Sequence, residues 1–278
     1  TGIIDVGGGL RGIYGAGVLD RCMEEGVQFD CCIGVSAGSA NMSSYVAGQH
    51  GRNKPFYQDY SFRKKYMSVG NLARKHSYLD LEYVYGALSN RGGENPLDYP
   101  AVVRSPAELV IVATEARTGK PRYFTKEEIQ RDEYAVVKAS CALPIACKPY
   151  LIGGIPCFDG GVADPVPYRR ALADGCSKLV VLLTRPRDFV RPPLGHLPAA
   201  RFSLRAYPKA LEALTHRHEK YNQAVAEVKE LERQGKALLL APADIDGMST
   251  LKRSEFAMER LYGYGYQDGA KIAAFLSP

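Results

Sequence analysis

The chain has 278 residues, of which 46% are hydrophobic and 24% are charged, and its formal net charge is +6. This composition is that of a globular protein with a large core and excludes a disordered or fibrous chain; no apolar run approaches the roughly 20 residues that span a membrane. The charge is modest, and no basic–aromatic module or helix-turn-helix pattern occurs, so we predict no binding to nucleic acid. No repeat or linker divides the sequence, and we predict a single domain over residues 1–278.

Short apolar runs alternate with helix-like segments along the chain, which is typical of an α/β fold. The predicted strands span residues 3–6, 31–35, 108–114, 122–125, 149–152, 155–159, 179–184 and 237–241. The predicted helices span residues 12–25, 37–48, 79–89, 127–138, 167–174, 204–235 and 254–276. The runs 109–113 and 179–183 are almost wholly apolar, as strands covered on both faces should be. The sequence therefore predicts an α/β fold with a mainly parallel sheet.

A glycine-rich loop follows the first predicted strand, where residues 7–12 read G-G-G-L-R-G. The backbone N–H groups of such a loop can point toward an oxyanion. Gly7, Gly9 and Gly12 also match the dinucleotide fingerprint G-x-G-x-x-G, which requires an acidic residue at the end of the next strand. Asp30 lies before that strand, not at its end. We therefore favour an oxyanion-binding loop over a nucleotide site.

A serine lies directly after the second predicted strand, where residues 34–38 read G-V-S-A-G. The G-x-S-x-G pattern is typical of a nucleophile elbow, a tight strand-to-helix turn that holds the serine hydroxyl clear of the backbone. Side chains at Gly34 or Gly38 would collide with the neighbouring strand or helix in such a turn. Ser36 is therefore the predicted nucleophile of an acyl-transfer reaction.

The nucleophile needs a base, because a serine hydroxyl reacts poorly until its proton is removed. Residues 155–161 read I-P-C-F-D-G-G, which indicates a short strand that ends at Asp159. Asp159 is a candidate base, although an aspartate before two glycines is also common in turns. Histidine is the more usual base, and the chain has five: His50, His76, His196, His216 and His218. Of the downstream histidines, only His196 lies in a predicted loop, so a Ser–Asp–His triad would have to use it.

The chain resembles the bacterial patatin-like phospholipases. That family has a G-G-G-x-R/K-G loop, a G-x-S-x-G elbow, an A-S-x-A-x-P block and a D-G-G or D-G-A motif. The corresponding segments here are residues 7–12, 34–38, 139–144 and 159–161. These motifs frame residues 3 to about 185, whereas residues 186–278 match less specifically and are expected to form a helical C-terminal portion of the same domain. The resemblance implies a three-layer α/β/α fold with a mainly parallel central sheet.

The resemblance also implies a serine acyl hydrolase with a Ser–Asp dyad. Ser36 would attack the ester, Asp159 would take its proton, and the N–H groups of Gly7, Gly8 and Gly9 would stabilise the oxyanion. Arg11 and Gly12 would support that loop. The implied substrates are fatty-acyl esters of phospholipids, lysophospholipids or related lipids, with no metal or cofactor. Two alternatives stay open: a Ser–Asp–His carboxylesterase of the α/β-hydrolase type, and a catalytically silent lipid-binding protein.

The remaining polar features bear on location and access. Seven cysteines lack C-x-x-C or paired Cys/His spacing, which predicts no metal site and favours reduced thiols in a cytoplasmic protein. The chain begins at Thr1 without a methionine or a secretory signal, so we expect a few residues to precede it. Residues 186–203 are predicted to form a loop at the active-site entrance. Arg187, Arg191 and Arg201 in that loop predict peripheral contact with an anionic membrane, at about 1 kcal/mol per basic residue. The sequence does not predict an oligomeric state.

Overall fold

The computed structural model describes residues 1–277. Within them the strands are β1 (Gly2–Asp5), β2 (Cys31–Val35), β3 (Glu108–Glu115), β4 (Pro121–Thr125), β5 (Tyr150–Ile152), β6 (Ile155–Asp159), β7 (Leu179–Leu182) and β8 (Ala237–Leu240). The α-helices are α1 (Ile13–Glu24), α2 (Ala37–Val46), α3 (Lys54–Gln58), α4 (Val69–Lys75), α5 (Tyr99–Arg104), α6 (Ala135–Ser140), α7 (Tyr168–Ala173), α8 (Leu197–Ser203), α9 (Pro208–Thr215), α10 (Arg217–Arg233), α11 (Glu255–Gly269) and α12 (Lys271–Leu276).

The strands form one sheet in the order β5-β6-β3-β2-β1-β7-β8, and β4 also pairs with β3. Strands β1, β2, β3, β7 and β8 are mutually parallel where they pair. Strands β4 and β6 run antiparallel to β3, and β5 runs antiparallel to β6. The prediction of a mainly parallel central sheet is therefore confirmed, and every predicted strand is present.

Helices cover both faces of the sheet. Successive strand residues alternate between two apolar clusters, as the two-residue period of a strand requires: Ile3 belongs to one cluster and Ile4 to the other. Side chains of α1, α2 and α11 join the first cluster. Side chains of α7 and α10 join the second. The three-layer α/β/α architecture is thus confirmed, and it aligns the carboxyl ends of β1, β2 and β7 along one edge.

Helix α11, near the end of the chain, packs directly on α1. Gly265 of α11 lies so close to the carbonyl of Tyr14 that a Cβ atom at residue 265 would overlap that oxygen. The hydroxyl of Tyr14 donates to Asp268 over 2.7 Å, and that of Tyr262 donates to Asp20 over 2.8 Å. Helix α11 is therefore joined to α1 by close backbone contact and by part-buried hydrogen bonds.

Several predicted helices differ from the structure. The predicted helix at 127–138 is wrong for most of its length: a 3-10 turn ends at Glu128, and Asp132 and Tyr134 have positive φ, so α6 begins only at Ala135. The predicted helix at 79–89 contains a π-helix over Tyr83–Ala87. The predicted helices at 204–235 and 254–276 each divide into two, at His216 and Ala270.

Short helices were not predicted at all: α3, α4, α5 and α8 have five to seven residues. That is too short for an apolar period to emerge. Helix α8 lies inside the segment that was predicted as a loop. Across the described chain, no helix has both the length and the apolar character needed to cross a bilayer.

Candidate active site

Ser36 occupies a strained turn between β2 and α2. Its φ and ψ are 56° and −132°, a region that L-residues rarely adopt. A Cβ atom at Gly34 would overlap the backbone of Ser39, and one at Gly38 would overlap the carbonyl of Asp5. The structure thus gives a steric reason for both glycines of the G-x-S-x-G pattern, as the sequence predicted.

Strand pairing brings Asp159 to Ser36. Strand β2 pairs with β3 up to Val35, opposite Val112, and β6 pairs with the next residues of β3, with Asp159 opposite Ala113. Strands β2 and β6 run in opposite directions, so their carboxyl ends face each other beside β3. The residue after Val35 is Ser36, and it therefore meets Asp159 although the two lie far apart in the chain.

A second serine fixes the elbow to the sheet. The hydroxyl of Ser140 accepts the N–H of Ser36 over 2.9 Å and donates to the carbonyl of Val112 over 2.6 Å. Ser140 belongs to the A-S-x-A-x-P segment, for which the sequence analysis assigned no individual role. The block thus contributes a hydroxyl that orients the backbone of the candidate nucleophile.

The carboxyl of Asp159 is almost wholly buried, with 1% of the residue exposed. Its Oδ1 accepts the N–H of Gly161 over 2.8 Å, whereas Oδ2 is buried and has no partner at normal hydrogen-bond length. Burial raises the pKa of Asp159, opposed by the charge of Arg217, by the nearby Ser36 hydroxyl and by the hydrogen bond from the Gly161 amide. A raised pKa suits a general base, because basicity increases as the pKa approaches the working pH.

The glycine loop lies beside this pair. Gly7, Gly8 and Gly9 have φ values of 63°, 132° and 61°, which favour glycine. The N–H of Gly7 donates to Oδ1 of Asp5 over 2.8 Å. The N–H groups of Gly8 and Gly9 have no acceptor within the part of the chain that the structure describes. Of the three predicted oxyanion donors, two are therefore free and one is already bonded.

Arg11 supports the loop from behind. Its guanidinium is buried, and Nε donates to the carbonyl of Thr184 over 3.1 Å. The hydroxyl of Thr184 in turn donates to the carbonyl of Gly7. Gly12 leaves room for Tyr57, whose hydroxyl would lie 2.7 Å from a Cβ atom at residue 12. Arg11 and Gly12 thus lie where the sequence analysis expected loop support.

Asp5 was not identified from the sequence, although it is the one charged residue in an apolar strand. Its Oδ1 holds the Gly7 amide, and its Oδ2 accepts Nδ2 of Asn41 over 2.8 Å. Burial raises the pKa of Asp5 to about 6, although the bonds from Asn41 and Gly7 oppose this shift. The residue therefore connects the glycine loop to α2.

Ser36 lies at the boundary of two cavities. One is mostly apolar, with a lining that includes Phe56, Met67, Leu79 and Leu251. The other is polar. Its lining includes the glycine loop, Asp159, Arg185, Arg191, Arg217 and Tyr221. The arrangement can hold an apolar chain on one side of the serine and a polar group on the other.

His196 and two of the three arginines predicted at the entrance lie outside both cavities. His196 is exposed at the start of α8, and no histidine of the described chain lines either cavity. Arg201 is exposed, and Arg187 forms an ion pair with Glu232. Arg191, which the sequence analysis grouped with these two as a membrane contact, lines the polar cavity. Arg185 and Arg217 were missed, since no local pattern marks an arginine that reaches a site only after folding.

Comparison with known proteins identifies the family. Residues 6–172 match the description "Patatin-like phospholipase", and residues 207–276 match a domain of unknown function, DUF6363. The chain is 29% identical over 192 residues to the uncharacterized protein YjjU of Escherichia coli K12; the aligned region covers 67% of this chain and 52% of YjjU. It is 27% identical over 179 residues to lysophospholipase nte1 of Aspergillus terreus; the aligned region covers 62% of this chain and 11% of that protein.

A solved structure shares the fold. VipD from Legionella pneumophila aligns with a TM-score of 0.50 and 14% identity over 99% of this chain and 66% of that chain. At this identity the likeness concerns the fold alone. The chain spans less than two thirds of the length of each of these three proteins. The family match covers more than half of this chain and contains the glycine loop, the Ser36 elbow and Asp159. On that basis, the chain belongs to the patatin-like phospholipase family.

Proposed function

We propose that the protein is a serine acyl hydrolase that cleaves fatty-acyl esters of phospholipids, lysophospholipids or related lipids through a Ser–Asp dyad. One observation carries the proposal: the buried Oδ2 of Asp159 has no hydrogen-bond partner, and the hydroxyl of Ser36 lies next to this carboxyl. A buried polar atom without a partner demands an explanation. A base that receives the serine proton during reaction explains it.

In the first half of the reaction, Oγ of Ser36 attacks the ester carbonyl while Asp159 takes its proton. The carbonyl oxygen becomes an oxyanion, which the free N–H groups of Gly8 and Gly9 stabilise. The N–H of Gly7 is bonded to Asp5, so Gly7 shapes the loop and donates no bond to the oxyanion. Asp159 then gives the proton to the leaving alcohol, and the acyl group stays on Ser36.

In the second half, a water molecule attacks the acyl carbon while Asp159 takes its proton; the bond to Oγ of Ser36 breaks, the free acid leaves, and Asp159 returns the proton to Oγ. The apolar cavity beside Ser36 suits a fatty-acyl chain. The name of the relative lysophospholipase nte1 is in keeping with an acyl ester of a lipid as substrate. A triad through His196 is disfavoured, since that histidine is exposed and lines neither cavity.

The nucleophile is tested with a fluorophosphonate probe, whose tetrahedral adduct resembles the reaction intermediate. We expect a single label, mapped by peptide mass spectrometry to Ser36 and absent from Ser36→Ala. The same preparation should hydrolyse p-nitrophenyl esters and phospholipids. A label on Ser39 or Ser140, or a label that persists in Ser36→Ala, contradicts the assignment.

A further inference from the structure

Three guanidinium groups converge on the polar cavity from separate parts of the chain. Arg185 and Arg191 follow β7, and Arg217 begins α10. The Nε atom of each is buried and has no hydrogen-bond partner among the described residues. Buried donors are almost always satisfied in folded proteins. Three unsatisfied donors around one cavity indicate a ligand that supplies the acceptors.

The excess of positive charge around the cavity also favours an anionic ligand. Arg11 also lines it, so four guanidinium groups face a single carboxylate, that of Asp159. Burial and the neighbouring arginines lower the pKa of Arg11 to about 9. Burial and Arg217 lower the pKa of Arg191 to about 10. Arginine remains charged at neutral pH even so, and an added anion would relieve the repulsion.

Two of the three arginines, Arg185 and Arg191, are held in place by neighbouring groups, as in a prepared site. The guanidinium of Arg191 lies 4.5 Å from the ring centre of Tyr221, and the side chain of Asn222 bonds to both the N–H and the carbonyl of Arg191, over 2.8 and 3.0 Å. Arg185 lies 4.7 Å from the ring centre of Phe189. Stacking on a ring fixes the guanidinium plane and leaves its N–H edge available.

The second glycine of the D-G-G motif makes room for Arg217. A Cβ atom at Gly161 would lie 2.8 Å from Nη2 of this arginine. Arg217, Tyr221 and Asn222 all come from α10, within the segment that matches a domain of unknown function. This segment therefore contributes directly to the wall of the polar cavity.

We propose that this cavity binds a phosphoryl group, so that the preferred substrate is an acyl ester with a phosphate close to the ester bond. The proposal rests on the proposed function, because it places the ester carbonyl at Ser36. The acyl chain then enters the apolar cavity and the phosphate enters the polar one. Several guanidinium forks around one point suit the oxygens of a tetrahedral phosphoryl group.

The substrate test compares two esters with the same acyl chain: 1-butyryl-glycerol 3-phosphate and 1-butyryl-glycerol. We expect a higher kcat/KM for the phosphorylated ester in the wild type. Arg191→Gln and Arg217→Gln should each reduce the ratio of the two kcat/KM values by about tenfold or more, since a charge-assisted hydrogen bond is lost. Arg187→Gln is the matched control, because Arg187 lies on the same segment but pairs with Glu232; it should keep the ratio. Equal values for the two esters, or a ratio that neither variant changes, overturns the proposal.

A binding test separates this inference from the proposed function. Calorimetry on Ser36→Ala, at constant ionic strength set with sodium chloride, measures glycerol 3-phosphate and inorganic phosphate without turnover. We expect glycerol 3-phosphate to bind and Arg191→Gln in the same background to weaken it about tenfold or more. Binding of inorganic phosphate alone, with no preference between the esters, identifies a free phosphate as the ligand. Absence of binding of both refutes the phosphoryl site even if Ser36 reacts with the fluorophosphonate.

Discussion

At Asp159, burial raises the pKa while Arg217, the nearby Ser36 hydroxyl and the bond from Gly161 lower it, and burial is the larger effect. The ionised carboxylate is the form that accepts a proton, so kcat/KM should increase as the pH rises through the raised pKa. We expect Asp159→Asn to fold and to lose about 10²–10⁴-fold in kcat, the usual contribution of a general base. Circular dichroism and ester turnover over a pH series measure both.

The control for this prediction is His196→Ala, because His196 is exposed and lies outside both cavities. This variant should keep more than about a tenth of the activity, well above the loss expected for a missing base. If His196→Ala loses most of its activity, the protein is a triad enzyme and the dyad is wrong, whatever the effect of Asp159→Asn.

The amide of Gly8 is a candidate oxyanion donor, and its geometry tolerates no side chain. Its φ is +132°, and a Cβ atom would overlap the hydroxyl of Thr184. We expect Gly8→Ala to turn the peptide and lower kcat by roughly 10²–10³-fold, the cost of one lost donor. Gly26→Ala is the control: Gly26 also has positive φ, at +66°, but open space around it. It should lose stability and keep turnover; equal turnover losses in both variants would remove Gly8 from the mechanism.

Asp5 predicts a pH dependence of stability. Burial raises its pKa from 3.8 to about 6 in the folded protein. The protonated carboxyl therefore stabilises the folded protein. This stabilisation is fully present at pH values below 3.8, the pKa in the unfolded chain, and it is lost as the pH rises through about 6. Relative to Asp5→Asn, which cannot ionise, the wild type should therefore lose about 1 kcal/mol of unfolding free energy between about pH 5 and pH 7.5. Urea unfolding of both proteins at the two pH values measures the difference, and a difference independent of pH contradicts it.

Among the elements, α1 and α11 depend on glycine for their contact. A Cβ atom at Gly265 would overlap the carbonyl of Tyr14, so Gly265→Ala must push the helices apart. We expect a loss of about 1–3 kcal/mol, typical of overpacking. Gly263 lies in the same helix with nothing near it, and Gly263→Ala should gain about 0.5–1 kcal/mol. Urea unfolding of the two variants tests the pair; equal effects would mean that the helices do not touch as described.

How far the sequence predicts an element depends on whether its cause is local. Ser36 and its flanking glycines were predictable, because the steric demand of the elbow lies within five adjacent residues. The strands were predictable from apolar runs, since both faces of the sheet are covered. The helix predicted at 127–138 is wrong because Asp132 and Tyr134 adopt positive φ. Aspartate tolerates this conformation, but nothing in the sequence marks it at a tyrosine. The guanidinium cluster was not predictable, because Arg217 meets Arg185 and Arg191 only through the packing of α10.

At the scale of the whole molecule, the two segments that match family descriptions, residues 6–172 and 207–276, contribute to the same sheet and to the helices that cover it. Strands β7 and β8 continue the sheet from β1, although both lie outside residues 6–172. Helix α10 covers one face and α11 the other. We therefore expect one cooperative unfolding transition, with equal calorimetric and van't Hoff enthalpies. Differential scanning calorimetry of the full chain tests this, and two separate transitions would contradict the predicted single domain.

Strands β2 and β6 end next to each other beside β3, and this arrangement determines which mutations leave the candidate site intact. The separation of Ser36 from Asp159 depends on a count of paired residues, with Val35 opposite Val112 and Asp159 opposite Ala113. Substitutions in the core change volumes but leave that count intact. Inserting one residue into β6 moves the carboxylate by about 3.3 Å and turns it to the other face of the sheet. We therefore expect proteins of this fold to tolerate many changes in core composition but no insertion or deletion within these three strands.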